Sequence, residues 1–347
     1  MSNPVLIEVF RGEWLESRHR GAVAITDADG GLVWSAGEVD QPVFARSSFK
    51  MLQALPLIES GAADAFSLSA ADLSLACASH GGEDVHVVRV ARWLDRLDCG
   101  ETCLACGAHM PTNEAASREL IQAGRAPTRL HNNCSGKHAG FLTLARHLGV
   151  DIDGYEQRTH SVQRLALGAI AEMAGVDVGA MPVAVDGCAA PAPAVPLRSL
   201  ATAMARIADP SGLPPIRAKA ARRLDEAVQA HPLLVAGFGR ACTDIIKAAG
   251  GGVSVKTGAE GVYVGVVSKL GLGIALKIDD GAARAAETTI AALLAGLGAA
   301  PAEHPAIASL INNPVVNTRG QTVGARRPAP WLAAELASLA ASPGYAA

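Results

Sequence analysis

Two asparagines, a cysteine, a lysine and two histidines crowd into His131-Asn132-Asn133-Cys134-Ser135-Gly136-Lys137-His138-Ala139-Gly140. An apolar-periodic run, Phe141 to Leu148, follows at once. The pattern predicts a reactive loop feeding the N-terminus of a helix. Such an end presents unpaired N–H groups and the positive pole of the helix dipole. Two chemistries compete. Cys134 could be a nucleophile, its thiolate favoured by the dipole and by Lys137. Alternatively, the stretch holds a substrate or a metal while the attack comes from elsewhere.

Three further stretches carry hydroxyls and amines. In Arg46-Ser47-Ser48-Phe49-Lys50, Ser47 and Lys50 stand three apart, which on a helix puts both on one face. A lysine acts as a base only when neutral, so its ordinary value of about 10.4 must fall through burial or nearby cations. The plainer alternative is a capping serine and a solvated lysine. Ser79-His80 ends an apolar run and opens a glycine-bearing loop before Glu83 and Asp84; its plainer alternative is a helix N-terminus with acids at the positive end. Lys256-Thr257-Gly258 leads from a strand into a turn. Together they follow the order S-x-x-K, interior serine, K-T-G of the penicillin-binding and class A β-lactamase enzymes. The middle element departs, because this chain has Ser79-His80-Gly81 where those enzymes have S-D-N.

Cys134-x-x-Lys137 pairs with Asp186-Gly187-Cys188, which follows a strand-like Pro182–Val185. Two soft thiolates and a nitrogen donor suit zinc, although lysine must lose its proton to ligate. The competing reading is two structural thiols and a salt bridge. Cys99-x3-Cys103-x2-Cys106 with His109 has the spacing of an iron–sulfur or zinc loop. No βα barrel is readable around it, so a structural turn at Cys106-Gly107-Ala108-His109 is preferred.

The elements that must position these groups form a simple order. Strands are predicted over Val5–Phe10, Gly21–Asp27 and Leu32–Ala36, the last two flanking the turn Asp29-Gly30-Gly31. A helix starts near Ser47 and meets Pro56, a bend signal. From about 60 to 250 the patterns are helical, at 84–97, 113–125, 135–148, 158–175, 196–208 and 214–230. Pro182–Val185 is the one buried strand expected there. After Gly250-Gly251-Gly252 come three strands, Val253–Lys256, Val262–Val267 and Gly273–Ile278, then a helix at 282–297. The proline- and alanine-rich tail from 300 reads as a wrapping segment. The expected fold is therefore α/β (α+β), with strands from both chain ends in one mainly antiparallel sheet flanked by helices. The sheet part covers approximately 1–50 and 250–325, with an inserted helical region over approximately 51–249. The missing βα alternation argues against a TIM barrel or a Rossmann domain.

The 347 residues suffice for one large domain or two intimate ones, and 50% hydrophobic residues allow a sizeable core. A net charge of −3 without runs of like charge argues against nucleic acid or an acidic membrane as partner. Met1-Ser2-Asn3-Pro4 lacks a basic flank and an apolar h-region, and no stretch approaches the roughly 20 apolar residues of a membrane span. A cytoplasmic protein is expected. Seven scattered cysteines, an odd number, then read as thiols or ligands and not as a disulfide framework.

With these residues assembled, the chain resembles the Rhizobium etli-type (class 3) L-asparaginases, the asparaginase II family. The resemblance rests on Val9-Phe10-Arg11-Gly12-Glu13-Trp14-Leu15-Glu16-Ser17, Ala45-Arg46-Ser47-Ser48-Phe49-Lys50, Cys77-Ala78-Ser79-His80 with Glu83, Cys106-Gly107-Ala108-His109, Asn132-Asn133-Cys134-Ser135-Gly136-Lys137-His138, Asp186-Gly187-Cys188 and Asn317-Thr318-Arg319-Gly320. These pieces span about 9–325 in one order, and the Asn-Asn-Cys-Ser-Gly-Lys-His string is the most specific.

The resemblance implies a fold similar to the serine β-lactamases and glutaminases, a homodimer, and hydrolysis of L-asparagine to L-aspartate and ammonia. It implies two Ser–Lys pairs, Ser47 with Lys50 and Ser79 with Lys256, and zinc at Cys134, Lys137 and Cys188 beside Asp186. On this basis Ser47 is expected to attack the side-chain amide with Lys50 as base, while Ser79 and Lys256 relay protons. Asp186 is the candidate for the substrate ammonium, Arg46 either binds its carboxylate or forms a structural ion pair, and Asn132 and His138 are further substrate-orienting groups. A related serine amidase, a glutaminase or β-lactamase-like hydrolase, is the alternative. Phe49 and the pair Cys99 and Cys103 depart from the family pattern.

Overall fold

The computed structural model describes residues 2–340. In chain order the strands are β1 (Val5–Arg11), β2 (Trp14–Thr26), β3 (Leu32–Ala36), β4 (Pro42–Phe44), β5 (Val183–Val185), β6 (Pro191–Pro196), β7 (Val253–Thr257), β8 (Val262–Val267), β9 (Leu272–Ile278), β10 (Asn313–Val316) and β11 (Thr322–Pro328). The α-helices are α1 (Lys50–Glu59), α2 (Ala62–Ala65), α3 (Ala70–Ala76), α4 (Asp84–Arg96), α5 (Glu114–Gln122), α6 (Ser135–Leu148), α7 (Ser161–Ala174), α8 (Leu197–Ala208), α9 (Pro215–Ala230), α10 (Pro232–Ala236), α11 (Ala241–Ala249), α12 (Ala283–Gly296), α13 (Pro305–Ile311) and α14 (Pro330–Ala340). None of the described helices is long and apolar enough to cross a membrane.

The chain divides into two compact units. The first takes the residues up to Ser48, Val195–Asp209 and those from Asp244 on. Its sheet runs β10-β11-β1-β2-β9-β8-β7, with β3 also on β2. The pairings β1 with β2 and β11, β2 with β3 and β9, and β8 with β7 and β9 are all antiparallel. Strands from both chain ends thus share one sheet, as the sequence predicts. The run Val262-Tyr263-Val264-Gly265-Val266-Val267 is buried at every residue. Both α8 and α12 pack against β8 and β9, which explains a continuous apolar run in place of alternation.

The segment Val195–Asp209 falls in this unit. Its apolar stripe, Leu197, Leu200, Ala201, Met204 and Ala205, is buried, and α8 packs on β2, β8 and β9. Within the tail from 300, expected as a wrapping segment, Asn313–Val316 and Thr322–Pro328 instead extend the sheet beyond β1. Asn317-Thr318-Arg319-Gly320 is the turn between them. Asn317 Oδ1 accepts the N–H groups of Arg319 at 2.9 Å and Gln321 at 3.0 Å, and Gly320 takes φ 76°.

The second unit takes Phe49–Ala194 and Pro210–Thr243. Here α1 packs on α6, α7 and α9, and α3 on α6 and α9. The helix α1 continues to Glu59 with Pro56 inside it. Gly136, in the second position of α6, lets that helix approach α3. A Cβ there would lie 2.3 Å from the Leu75 carbonyl oxygen, a clash with backbone. The strand expected to be buried is not: Ala184 and Val185 of β5 are exposed, and the buried strand is its partner β6. In β6 the prolines at 191 and 193 alternate with Ala192 and Ala194. Their missing N–H groups therefore fall on one edge, and Ala194 N–H remains free to donate to Pro182 O at 2.8 Å.

Candidate active site

The first unit presents Ser47 on a tight turn. Arg46 adopts φ 52°, a left-handed conformation that costs a non-glycine residue about 1 kcal/mol or more. Ala45 O accepts both Ser48 N–H, at 3.1 Å, and Ser48 Oγ–H, at 2.6 Å. A 3₁₀ turn over Arg46–Phe49 then leads into α1. Ser47 is half-buried, whereas Ser48 and Phe49 are fully buried. Loop strain of this kind concentrates where a side chain must be aimed.

The K-T-G stretch meets this turn. A Cβ on Gly258 would lie 2.5 Å from Ala45 O, so only glycine lets the strand end pass this close to the Ala45 carbonyl. Lys256 is buried and its Nζ donates to Thr257 O at 2.9 Å. Gly258→Ala is expected to lower stability by about 1–3 kcal/mol through overpacking, and to lower kcat along with it. Urea unfolding with steady-state kinetics checks this, and an unchanged midpoint would show that the turn can yield.

The second unit gathers the remaining candidates. Lys50, buried at the start of α1, donates its Nζ–H groups to the Ala78 carbonyl, to Ser79 Oγ at 2.9 Å and to Asn133 O at 3.4 Å. Sequence spacing pairs Lys50 with Ser47, but here its amine sits against the hydroxyl of Ser79. Ser79 is in turn fixed by its own N–H, which donates to Val235 O at 2.8 Å.

The neighbouring His80 is completely buried. Its Nδ1 accepts Gly82 N–H at 3.2 Å, so its Nε2–H donates to Ser135 Oγ at 2.9 Å; Ser135 Oγ–H passes to Leu130 O. The ring stacks on His86 with centroids 4.7 Å apart. Burial, then the nearby His86 and Lys50, hold the His80 imidazole well below its ordinary value of 6.5. The unfolded chain therefore binds a proton at His80 below pH 6.5 that the folded chain refuses. The resulting stabilisation is complete above pH 6.5 and is lost as pH falls below it. Unfolding free energy is expected to decline from pH 7 to pH 5, and His80→Gln to flatten that slope. Urea titrations across the range decide it, and an equal slope in the variant would assign the effect to other groups.

The opening stretch folds as a cap and a clamp. Cys134 is the N-cap residue of α6. Asn132 Oδ1 accepts Cys134 N–H at 2.9 Å, while Asn132 Nδ2–H donates to Gly107 O at 2.6 Å. Both ends of its amide are thus engaged in shaping the loop. Asn133 N–H donates to His109 Nε2 at 3.0 Å, so His109 serves as an anchor. His138 lies in the first turn of α6 with its Nδ1 2.7 Å from Tyr155 Oη, which also accepts Ala105 N–H at 2.8 Å. Burial, then Lys137, pushes His138 down to about 3.

Cys134, Lys137 and Cys188 come together in the interior. Lys137 Nζ–H donates to Cys188 Sγ at 3.1 Å, and Cys134 is the neighbouring thiol that acts most on Cys188. These two contacts, Cys134 first, bring Cys188 down to about 4 despite its burial. The direction is a thiolate. Cys188 and burial push Cys134 up to about 12; burial works against the charge on Lys137, and the Cys188 sulfur more than offsets it. Cys188 is set there by the loop 186–190, where Ala190 O accepts Asp186 N–H at 2.9 Å and Ala189 takes φ 72°. Cys106 is buried beside them, and burial followed by the two sulfurs pushes it up to about 12. Among the described residues, no three His, Cys, Asp or Glu side chains are placed to hold a metal ion. The two sulfurs and the Lys137 amine nevertheless form a donor set that suits zinc.

The L-asparaginase II family matches residues 7–328. The chain belongs to the L-asparaginase II family. Membership supports an asparaginase-type amidohydrolase. No curated protein matches the chain. Among solved structures, this family member is similar to a putative β-lactamase from Bacteroides dorei DSM 17855, at 15% identity over 74% of this chain and 84% of that one, with a TM-score of 0.40. It is also similar to simvastatin synthase (LovD) from Aspergillus terreus in a LovD6 mutant form, at 12% identity over 78% and 90%, with a TM-score of 0.39.

Sequence reasoning missed Tyr155 and Gly258 as site supports. Tyr155 stands in Asp153-Gly154-Tyr155-Glu156, where nothing local signals its reach to His138. Gly258 was visible in the K-T-G string, but the string alone gives no measure of how closely Ala45 approaches.

Proposed function

We propose that this L-asparaginase II family member is an L-asparagine amidohydrolase giving L-aspartate and ammonia. The observation that carries the reading is the family match over residues 7–328. Ser47 Oγ attacks the side-chain amide carbon and Lys50 takes its proton. Ammonia leaves and an acyl-enzyme remains, which water then hydrolyses with Ser79 and Lys256 moving protons. Backbone N–H groups at the start of the helical run from Arg46 serve as the oxyanion hole. Asp186 takes the substrate ammonium and Arg46 the α-carboxylate. Asn132 and His138 act by shaping the loop and the first turn of α6.

A second reading has Ser79 as the attacking group. The 2.9 Å separation between Lys50 Nζ and Ser79 Oγ favours it, because a neutral Lys50 could accept that proton directly.

Cys134, Lys137 and Cys188 are proposed to hold zinc. Bound there, zinc would polarise a substrate carbonyl and orient the substrate. The same reading takes the protein as a cytoplasmic homodimer acting on a small molecule, with neither nucleic acid nor membrane as partner.

The test is ammonia release from L-asparagine and from L-glutamine, each with and without added zinc. Turnover of asparagine above glutamine, with KM lowered by zinc, is the expected result. Turnover of glutamine alone would replace the reading by that of a glutaminase. No zinc in the purified protein and no effect of added zinc would remove the metal.

A further inference from the structure

Cys99 and Cys103 take no part in the chemistry above, and the fold sets their thiols side by side. After α4 the chain reverses: Asp98 takes φ 51° and Cys99 N–H donates to Leu94 O at 3.0 Å. A 3₁₀ turn over Glu101–Cys103 follows, closed by Cys103 N–H donating to Gly100 O at 3.1 Å. Cys103 is the thiol neighbour that acts on Cys99 across this turn, while Cys99 Sγ–H donates to Leu97 O at 3.6 Å. Cys99 is buried, but Cys103 is half-exposed and lines an open depression of about 340 Å³ with Ala105, Ile152, Asp153 and Tyr155. Arg146 of α6 donates Nη2–H to Cys99 Sγ at 3.6 Å. One thiol is thus accessible, the other is pressed against it, and a guanidinium faces the buried sulfur. This is the combination that a redox-active pair requires.

We propose that Cys99 and Cys103 are a reversible thiol–disulfide modification site, closed by low-molecular-weight disulfides of the glutathione type. The Cys103 thiolate attacks one sulfur of the small disulfide, forming a mixed disulfide and expelling one small thiolate. Cys99, losing its proton, then attacks the Cys103 sulfur. The intramolecular Cys99–Cys103 bond forms, the mixed disulfide breaks and a second small thiolate leaves. Two protein thiols are oxidised, one small disulfide is reduced, and the two protons end on the two small thiols. Burial pushes the Cys99 thiol up, so Cys103 is the first attacker, and Arg146 stabilises the Cys99 thiolate in the second step.

The position gives the modification a consequence. Arg129 Nη1–H donates to the carbonyls of Thr102 at 2.9 Å and Leu104 at 2.6 Å. Ala105 N–H holds Tyr155 Oη, and Gly107 O holds Asn132. The loop that closes on oxidation is therefore the one that anchors the residues leading into α6.

The experiment uses the full chain incubated with oxidised glutathione, then alkylated under denaturing conditions and mapped by peptide mass spectrometry. The expected result is loss of two of the seven alkylatable thiols, a Cys99–Cys103 cross-link, and full recovery with a dithiol reductant. Cys99→Ser is expected to stop at a glutathione adduct on Cys103, and Cys103→Ser to take up no adduct in this segment. Thermal melts of both variants matching the wild type establish that they fold. Wild-type protein that stays as a Cys103 adduct, keeps both thiols alkylatable, or links either cysteine to a third one would overturn the proposal.

Discussion

Ser47→Ala is expected to lower kcat for ammonia release from L-asparagine by more than about a thousandfold while leaving the fold intact. The size follows from the role. A covalent nucleophile contributes a bond that no neighbouring group supplies, and only substrate binding and oxyanion stabilisation remain without it. Stability is spared because Ser47 is half-buried and the turn's hydrogen bonds belong to Ala45 and Ser48. Melting temperature and kcat on the same preparation separate the two effects. Ser79→Ala is the companion measurement. If Ser47 attacks, Ser79→Ala retains a slowed turnover and still accumulates an acyl-enzyme in mass spectra. Near-normal activity in Ser47→Ala with a dead Ser79→Ala would move the nucleophile to Ser79, where Lys50 already sits 2.9 Å away.

Removing both sulfurs around Lys137 has the second large effect. In metal-free protein, Cys134→Ala with Cys188→Ala is expected to destabilise the fold by about 3–5 kcal/mol. Lys137 is buried with its ammonium on Cys188, so the double variant leaves a buried cation without its thiolate. Either single variant costs less, because the remaining sulfur can take over the charge. Adding Lys137→Met, which removes the cation and keeps an apolar side chain of similar length, is expected to restore most of the loss. Urea midpoints of the singles, the double and the triple measure this. A double variant within about 1 kcal/mol of wild type would show that the Lys137 charge does not depend on the sulfurs. The same double variant is expected to lose zinc binding, followed by equilibrium dialysis.

How much could be read beforehand depends on whether a feature is local. The helix at 135–148 and the strand at 262–267 coincide with their observed bounds, since both rest on apolar patterning within one window. The order of Ser47, Lys50, Ser79 and Lys256 was equally visible, because catalytic residue types stand out in short strings. The buried strand was misplaced by one strand. An apolar Val183-Ala184-Val185 reads as interior, yet β6, with prolines at both ends, is the one covered. The tail failed for a related reason: β11 pairs with β1, more than 300 residues earlier, and β10 joins the sheet through β11.

The sequence by itself determined the residue types of the site, the antiparallel sheet drawn from both chain ends, and the membership that the family match bears out. The tertiary structure alone decided which of those residues meet. It put Lys50 on Ser79, Lys137 on Cys188, and Cys99 beside Cys103. It also decided that Asn132 is a loop clamp and that Cys134 and Lys137 push Cys188 down. Burial and proximity across many residues set charge states and hydrogen-bond partners, and neither is encoded in any single window of the chain.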